Sequence, residues 1–324
     1  MKSSLTALLA IAISCLATAS AGAQVKPADA LPEVQQTQQA SEPVRLEKTT
    51  AEFSSAVDQV RTFVQKHSQE QVLLVVDLDN TLLAMNQDLG SDQWFNWQES
   101  LLETDKTHAD LVANSFPGLL DVQGVLFALS AMHPPEPDLP AMVNQLSKEG
   151  VTIVVLTSRG KEFRNSSNRE LKRNEYDFAK SSLTIREKRG VFEPYDQLKP
   201  TDHGLSAEVI DQLGKPRSVT YSDGIYMTAG QHKGYMLQTL LARAVRNDDS
   251  DDPLAGFSAI VFVDDREKHT KRVHEAFENS SVDLATFRYS REDGNVERFK
   301  KSSKHHVVRD WNLLSAFTET VLVK

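Results

Sequence analysis

Two aspartates, two positions apart, directly follow an apolar run in the first third of the chain. Residues 72–76 (VLLVV) lead into Asp77-Leu-Asp79-Asn-Thr81. A run this short, made of valine and leucine, is typical of a buried parallel strand, and side chains at i and i+2 project to the same side. Neighbouring carboxylates repel unless a cation lies between them or one takes a proton, so the pair indicates either a metal site or an acid/base pair. An ordinary polar turn is the alternative, because Asp and Asn are common turn residues.

Further polar groups each follow an apolar strand-like run or open an apolar helical stretch: Thr157 with Ser158 and Arg159, Lys233, and the pair Asp264-Asp265. Together with Asp77 and Asp79, and in this order along the chain, they resemble the four motifs of the haloacid dehalogenase (HAD) superfamily. The segment 89–98 (LGSDQWFNWQ) resembles more narrowly an uncharacterised secreted bacterial branch of HAD-like proteins.

The resemblance implies phosphoryl transfer through a covalent intermediate. By analogy with the HAD phosphatases, Asp77 attacks phosphorus, and Asp79 protonates the leaving oxygen and later deprotonates water. Thr157 and Lys233 would bind the oxygens of the phosphoryl group, whose charge makes positioning and cationic stabilisation the main catalytic requirements.

The same resemblance implies a metal site. Its ligands would be a carboxylate oxygen of Asp77, the main-chain carbonyl of Asp79 and the carboxylate of Asp264. Asp265 would reach the metal through water or orient Lys233. Hard oxygen ligands without His or Cys favour Mg²⁺, which we therefore expect as the cofactor.

The expected function is that of a secreted or periplasmic Mg²⁺-dependent phosphomonoester hydrolase, acting on a phosphorylated small molecule or an exposed phosphoester. A phosphomutase or phosphotransferase would use the same aspartyl-phosphate and pass it to a sugar instead of water. A HAD-like binding or host-interaction protein would keep the fold with little turnover. The net charge of −9 argues against general nucleic-acid binding, which requires a basic surface.

Alternating strand and helix patterns place the polar groups at one edge of a sheet. The predicted strands are 72–77, 151–156, 218–222, 258–263 and 282–289, with helical stretches between them. This pattern predicts an α/β fold with a doubly wound, Rossmann-like parallel sheet and helices on both faces. In such a sheet the functional crevice lies beyond the carboxyl ends of the strands.

Two segments between the predicted strands are longer than a simple crossover. For residues 84–140, which contain Trp94 and Trp97, the HAD resemblance implies a small helical cap; we expect the two tryptophans to pack rather than to contact substrate. Residues 159–217 are rich in Arg and Lys. A solvated helix face explains most of these charges, and a minority could attract phosphate-bearing substrates.

The amino-terminal region has the form of a cleavable leader. Residues 1–23 carry an apolar stretch followed by small-residue cleavage sites, which is typical of a secretory signal peptide. That stretch is shorter than the about 20 apolar residues a membrane span needs, and no later segment predicts one. The single cysteine, Cys15, lacks the sequence context of a lipid-anchored residue.

Residues 24–50 lack periodic hydrophobicity and predict a mobile linker. We expect order to begin near Ala51, with an amphipathic helix over 51–67 that leads into the first strand. The remaining chain, 51–324, then forms one HAD-like hydrolase domain with the cap inserted at about 84–140. Removal of the leader would leave no cysteine for disulfides or for a thiol nucleophile.

Overall fold

A computed structural model describes residues 42–186, 190–245 and 254–322. The strands in these ranges are β1 (Arg45–Thr50), β2 (Val72–Val76), β3 (Ala84–Met85), β4 (Met132–His133), β5 (Thr152–Thr157), β6 (Gly190–Phe192), β7 (Val219–Ser222), β8 (Ile225–Met227), β9 (Ala259–Asp264) and β10 (Asp283–Tyr289). The α-helices there are α1 (Ser54–His67), α2 (Asp92–Thr104), α3 (Phe116–Leu129), α4 (Leu139–Lys148), α5 (Arg164–Arg173), α6 (Ala207–Leu213), α7 (Lys233–Leu241), α8 (Glu267–Ala276), α9 (Asp293–Lys301) and α10 (His305–Phe317). The expected leader and most of the expected linker lie outside the described residues.

Eight of these strands form one sheet in the order β1-β10-β9-β2-β5-β8-β7-β6. Neighbours from β1 to β8 pair in parallel. The chain leaves the central strand β2 on one side to form β5 and β8, and later crosses to the other side to form β9 and β10. The predicted doubly wound α/β fold is therefore confirmed.

Each central strand is buried on both faces, which explains its unbroken apolar sequence. Leu74 and Val76 of β2 point into a core with α1 and α4, whereas Leu73 and Val75 point into a second core with α7 and α8. The strands β5 and β9 alternate in the same way between the two cores. Burial of this kind stabilises each large aliphatic side chain by about 1.5–3 kcal/mol and fixes the strand ends that carry the polar groups.

The predicted strand 218–222 is present as β7, but it runs antiparallel to its neighbours. The parallel position beside β5 is taken instead by β8, which the sequence prediction missed. A two-residue turn joins β7 to β8, with Asp223 and Gly224 both at positive φ. An Asp-Gly pair is a strong hairpin signal, because two-residue hairpin turns of this type require positive φ at both positions.

The predicted linker 24–50 is wrong at its carboxyl end, because residues 45–50 form β1. This strand pairs in parallel with β10 along its whole length, from Arg45 opposite Leu284 to Thr50 opposite Tyr289. Its sequence is polar because it is an edge strand with much of its surface exposed, and polar edge strands also discourage further strand pairing. The helix predicted over 51–67 is confirmed as α1.

The segment between β2 and α4 contains an insertion (residues 84–133) built from α2, α3 and the antiparallel pair β3–β4. The insertion packs on α9 and α10 through a separate apolar cluster. Trp94 is buried in that cluster, and the ring of Trp97 meets Phe299 edge-on at 6.3 Å. Both tryptophans thus make packing contacts between the insertion and the carboxyl-terminal helices. None of the helices in the described ranges has the length and apolar character that a membrane span requires.

Candidate active site

Asp77 lies at the carboxyl end of β2, where it continues the sheet hydrogen bonding. Its N–H donates to the carbonyl of Val263 in β9 at 2.9 Å, which sets Asp77 beside Asp264. The chain then turns sharply: Asn80 has a φ of +56°, and three consecutive N–H groups (residues 81–83) donate to the carbonyl of Leu78. Asn is among the few residues that enter this left-handed region readily. The end of β2 thus places Asp77, and the turn places Asp79, at the carboxyl edge of the sheet.

Lys233 contacts two of these carboxylates. Its Nζ lies 2.6 Å from Oδ1 of Asp77 and 2.6 Å from Oδ2 of Asp264, and the side chain is almost fully buried. The residue occupies the first position of α7, whose cap is His232: Nδ1 of His232 accepts the Tyr235 N–H at 3.4 Å. The cap gives His232 a structural role and holds Lys233 towards the strand ends.

The electrostatics of this cluster are unbalanced. Burial raises the pKa of the Asp77 carboxyl to about 7; Lys233 opposes the rise, whereas Asp264 and Asp79 add to it. Burial is also the main cause that raises the pKa of Asp264, and that of Asp265 well above its usual range. The pKa of Lys233 is raised as well, because two facing carboxylates outweigh the lowering by burial. One ammonium therefore faces more buried carboxylate charge than it can neutralise.

A hard cation fits this donor set. Asp77, Asp264 and Asp265 each offer an oxygen, and these atoms lie within 4.8 Å of one another. Buried carboxylates stay ionised when they are paired with a cation or bound to a metal, and an all-oxygen set is the kind that Mg²⁺ prefers. Asp265 also approaches Asn80, whose Nδ2 lies 3.4 Å from its Oδ2.

Thr157 ends β5, the strand next to β2, and its hydroxyl accepts the N–H of Arg159 at 3.2 Å. The loop after it is tied to the loop that precedes Lys233. Main-chain N–H groups of residues 228, 229 and 230 donate to the carbonyls of residues 157, 159 and 158, at 3.0, 3.1 and 2.8 Å respectively. These bonds hold Thr157 and Lys233 in one framework, although they are 76 positions apart.

Asp79 forms an ion pair with Arg159 that the sequence did not predict. Arg159 donates to Oδ2 of Asp79 from Nε at 2.9 Å and to Oδ1 from Nη2 at 2.7 Å. Both carboxylate oxygens of Asp79 thus accept hydrogen bonds from Arg159. The main-chain carbonyl of Asp79 stays its only predicted route to a metal.

A second missed pair joins the insertion to the site. Arg266, directly after Asp265, places Nη2 2.6 and 2.5 Å from the two carboxylate oxygens of Asp92, in the first turn of α2. Asp92 is the main cause that raises the pKa of Arg266. The sequence carried one signal for this pair: Asp92 lies in the segment 89–98, and Arg266 directly follows the predicted metal ligand Asp265. The arrangement as a whole can hold a metal, stabilise a phosphoryl group and present two carboxylates.

Comparisons with known proteins add the following. No curated protein matches the chain. One solved structure, that of cytosolic 5′-nucleotidase IIIB bound to cytidine, is 9% identical, with a TM-score of 0.29 over 82% of this chain and 95% of that one. A score this low leaves the interpretation of the site to its own geometry. The family model described as "Protein of unknown function (DUF2608)" matches residues 53–318. Because this match covers most of the chain, the chain belongs to the DUF2608 family.

Proposed function

We propose that the protein is a HAD-like phosphomonoester hydrolase that acts on phosphorylated small molecules through an aspartyl-phosphate on Asp77 and requires Mg²⁺. The observation that carries the proposal is the position of Lys233, 2.6 Å from both Asp77 and Asp264 at the carboxyl edge of a parallel sheet. A buried carboxylate that attacks a negatively charged phosphoryl group needs such a cation beside it.

By analogy with the HAD phosphatases that the motifs resemble, the proposed reaction has two half-reactions. In the first, a carboxylate oxygen of Asp77 bonds to phosphorus, the bond from phosphorus to the ester oxygen breaks, and the carboxyl of Asp79 gives its proton to that oxygen. In the second, Asp79 takes a proton from water as the water attacks phosphorus and the carboxylate of Asp77 is released. Thr157 and Lys233 bind the phosphoryl oxygens in both steps. Proton transfer of this kind typically contributes about 10²- to 10⁴-fold in rate.

Mg²⁺ would be held by carboxylate oxygens of Asp77, Asp264 and Asp265, and by the main-chain carbonyl of Asp79 as the motif resemblance implies. When bound, it would offset the negative charge of these carboxylates and of the phosphoryl group. The raised pKa of Asp77 supports this assignment, because a nucleophile must be ionised and a divalent cation favours the ionised form.

The leader-like residues 1–23 motivate a further part of the proposal, that the enzyme works in the periplasm or outside the cell. Expression in a bacterium with two membranes should then give a mature protein that begins near Gln24. Amino-terminal sequencing of the purified product tests this; a cytoplasmic product that still begins at Met1 would contradict it.

The proposed activity is tested by phosphate release from a panel of sugar, nucleoside and nitrophenyl phosphates with Mg²⁺. Wild-type protein should turn over part of the panel, and Asp77→Asn should turn over none of it. Asp211→Asn, which changes an exposed aspartate of α6, is the matched control and should behave like wild type. Wild-type protein that releases no phosphate, or Asp77→Asn that keeps wild-type turnover, would refute the proposal.

A further inference from the structure

Arg159 is a buried arginine that uses its guanidinium on several sides. Besides the two hydrogen bonds to Asp79, its Nη1 donates to the hydroxyl of Ser167 at 2.8 Å, and only 5% of the residue is exposed. Ser167 in turn donates to the carbonyl of Phe163 at 2.8 Å. A planar guanidinium fits a carboxylate with two parallel hydrogen bonds, which fixes both the distance and the orientation of the carboxylate.

The flat face of the same guanidinium rests on the insertion. Cζ of Arg159 lies 3.7 Å from the ring centroid of Phe127 in α3, well within the range of a cation–π contact. Nη2 also lies 3.6 Å from the sulfur of Met132 in β4. Phe127 is itself buried and meets the ring of Phe163 at 5.3 Å. The guanidinium of Arg159 therefore contacts the insertion with its face and Asp79 with its edge.

We propose that Arg159 is a positioning residue for the acid–base carboxyl of Asp79, and that the Arg159–Phe127 contact couples this carboxyl to the insertion. The inference rests on the proposed function and deepens it. Asp79 lies inside the tight turn, between Leu78 and Asn80, and its side chain is 22% exposed. Within the described residues, Arg159 is the partner of its carboxylate oxygens. A carboxylate has about four lone-pair sites, so two bonds to Arg159 leave sites that can carry the proton given to the ester oxygen or accept one from the attacking water.

The first test is Arg159→Lys, which keeps the positive charge but lacks the planar fork. A misplaced Asp79 should lower kcat for alkyl phosphates by about 10²-fold, the effect of a displacement near 1 Å. Nitrophenyl phosphate should lose much less, because its leaving group needs little protonation. In an Asp79→Asn background, Arg159→Lys should change kcat by less than about threefold, since a residue that acts only through Asp79 has nothing left to position.

The second test addresses the insertion. Phe127→Leu removes the ring under the guanidinium and should reproduce the same dependence on the leaving group in weaker form. Phe116→Leu is the matched control. Phe116 lies at the start of the same helix with 45% of the residue exposed, and this variant should keep wild-type kinetics. Circular dichroism melts show which variants are folded.

The outcomes distinguish failure of the positioning role of Arg159 from failure of the proposed phosphatase activity. Arg159 does not act through Asp79 if Arg159→Lys lowers turnover equally for all leaving groups, or if its loss in kcat is as large in the Asp79→Asn background as in wild type. Either result overturns the inference and leaves the proposed function standing. If Arg159→Lys does not fold, Phe127→Leu decides, and a wild-type dependence on the leaving group overturns the coupling. A wild-type protein without turnover on any ester refutes the proposed function itself.

Discussion

Gly234, the residue after Lys233, lies where α7 meets α8, and we predict that Gly234→Ala damages both stability and activity. A Cβ at this position would overlap the backbone carbonyl oxygen of Arg272 and lie 2.7 Å from Cβ of Ala276. Carbon atoms pack best at about 3.5–4.0 Å, so the two helices would have to separate by about 1 Å. The obstacle is backbone, which cannot rotate away as a long side chain can.

Overpacking of this kind costs about 1–3 kcal/mol. At about 2–4 °C per kcal/mol for a domain of roughly this size, the melting temperature should fall by about 2–12 °C. Because Lys233 directly precedes the altered position, the same shift should move its ammonium, and a displacement near 1 Å can lower turnover by about 10²-fold.

The assay pairs thermal melts with phosphate release, and Gly294→Ala in α9 is the matched control. A Cβ at Gly294 meets nothing within 4 Å, so this variant should melt at or slightly above the wild-type temperature, because Ala favours helix over Gly. A Gly234→Ala protein with wild-type melting temperature and turnover would refute the packing argument.

Two further predictions concern a cation and a buried carboxylate. Mg²⁺ should raise the melting temperature of the wild-type protein, since a ligand that binds only the folded state stabilises it. The rise should be much smaller for Asp264→Asn. A chelator should abolish phosphate release, and full turnover in chelator would contradict the metal site. Burial alone would raise the pKa of Asp283, but hydrogen bonds from His67, Lys66 and the Val44 N–H lower it. The ionised carboxylate therefore stabilises the folded protein above its unfolded pKa of about 4. This stabilisation is lost as the pH falls through the lower pKa of the folded state. Asp283→Asn should therefore melt below wild type at pH 7, and the gap should shrink in melts at pH values below about 4; a gap that does not change with pH would contradict this assignment.

The strands that could be predicted from local sequence are those that are buried on both faces. Strands β2, β5 and β9 are buried on both faces, so each is a continuous apolar run that stands out without any knowledge of its neighbours. Strand β1 was missed because an exposed edge strand needs no apolar pattern. Strand β8 was missed because three residues are too few to show a period, although the preceding Asp-Gly turn was a usable signal.

The candidate site likewise contains residues whose proximity could be predicted from sequence and residues whose contact could not. Asp77, Asp264 and Lys233 could be brought together from sequence, because ends of parallel strands and starts of following helices converge at one edge of a sheet. The ion pair of Asp79 with Arg159 was not predicted: both residues follow the ends of neighbouring strands, but no local pattern shows that their side chains meet. The place of Arg159 directly after the predicted strand and Thr157 was the available signal, but the sequence does not show that its side chain is buried.

The central claim is that Asp77 carries the phosphoryl group, and direct identification of the modified residue tests it. The Asp79→Asn protein is incubated with nitrophenyl phosphate and Mg²⁺, quenched, reduced with borohydride, which converts an aspartyl-phosphate to homoserine, and analysed by peptide mass spectrometry. Without the Asp79 carboxyl to activate water, the intermediate should accumulate, and the account predicts homoserine at position 77. Homoserine at another aspartate, or release of nitrophenol with an unmodified Asp77, would contradict it.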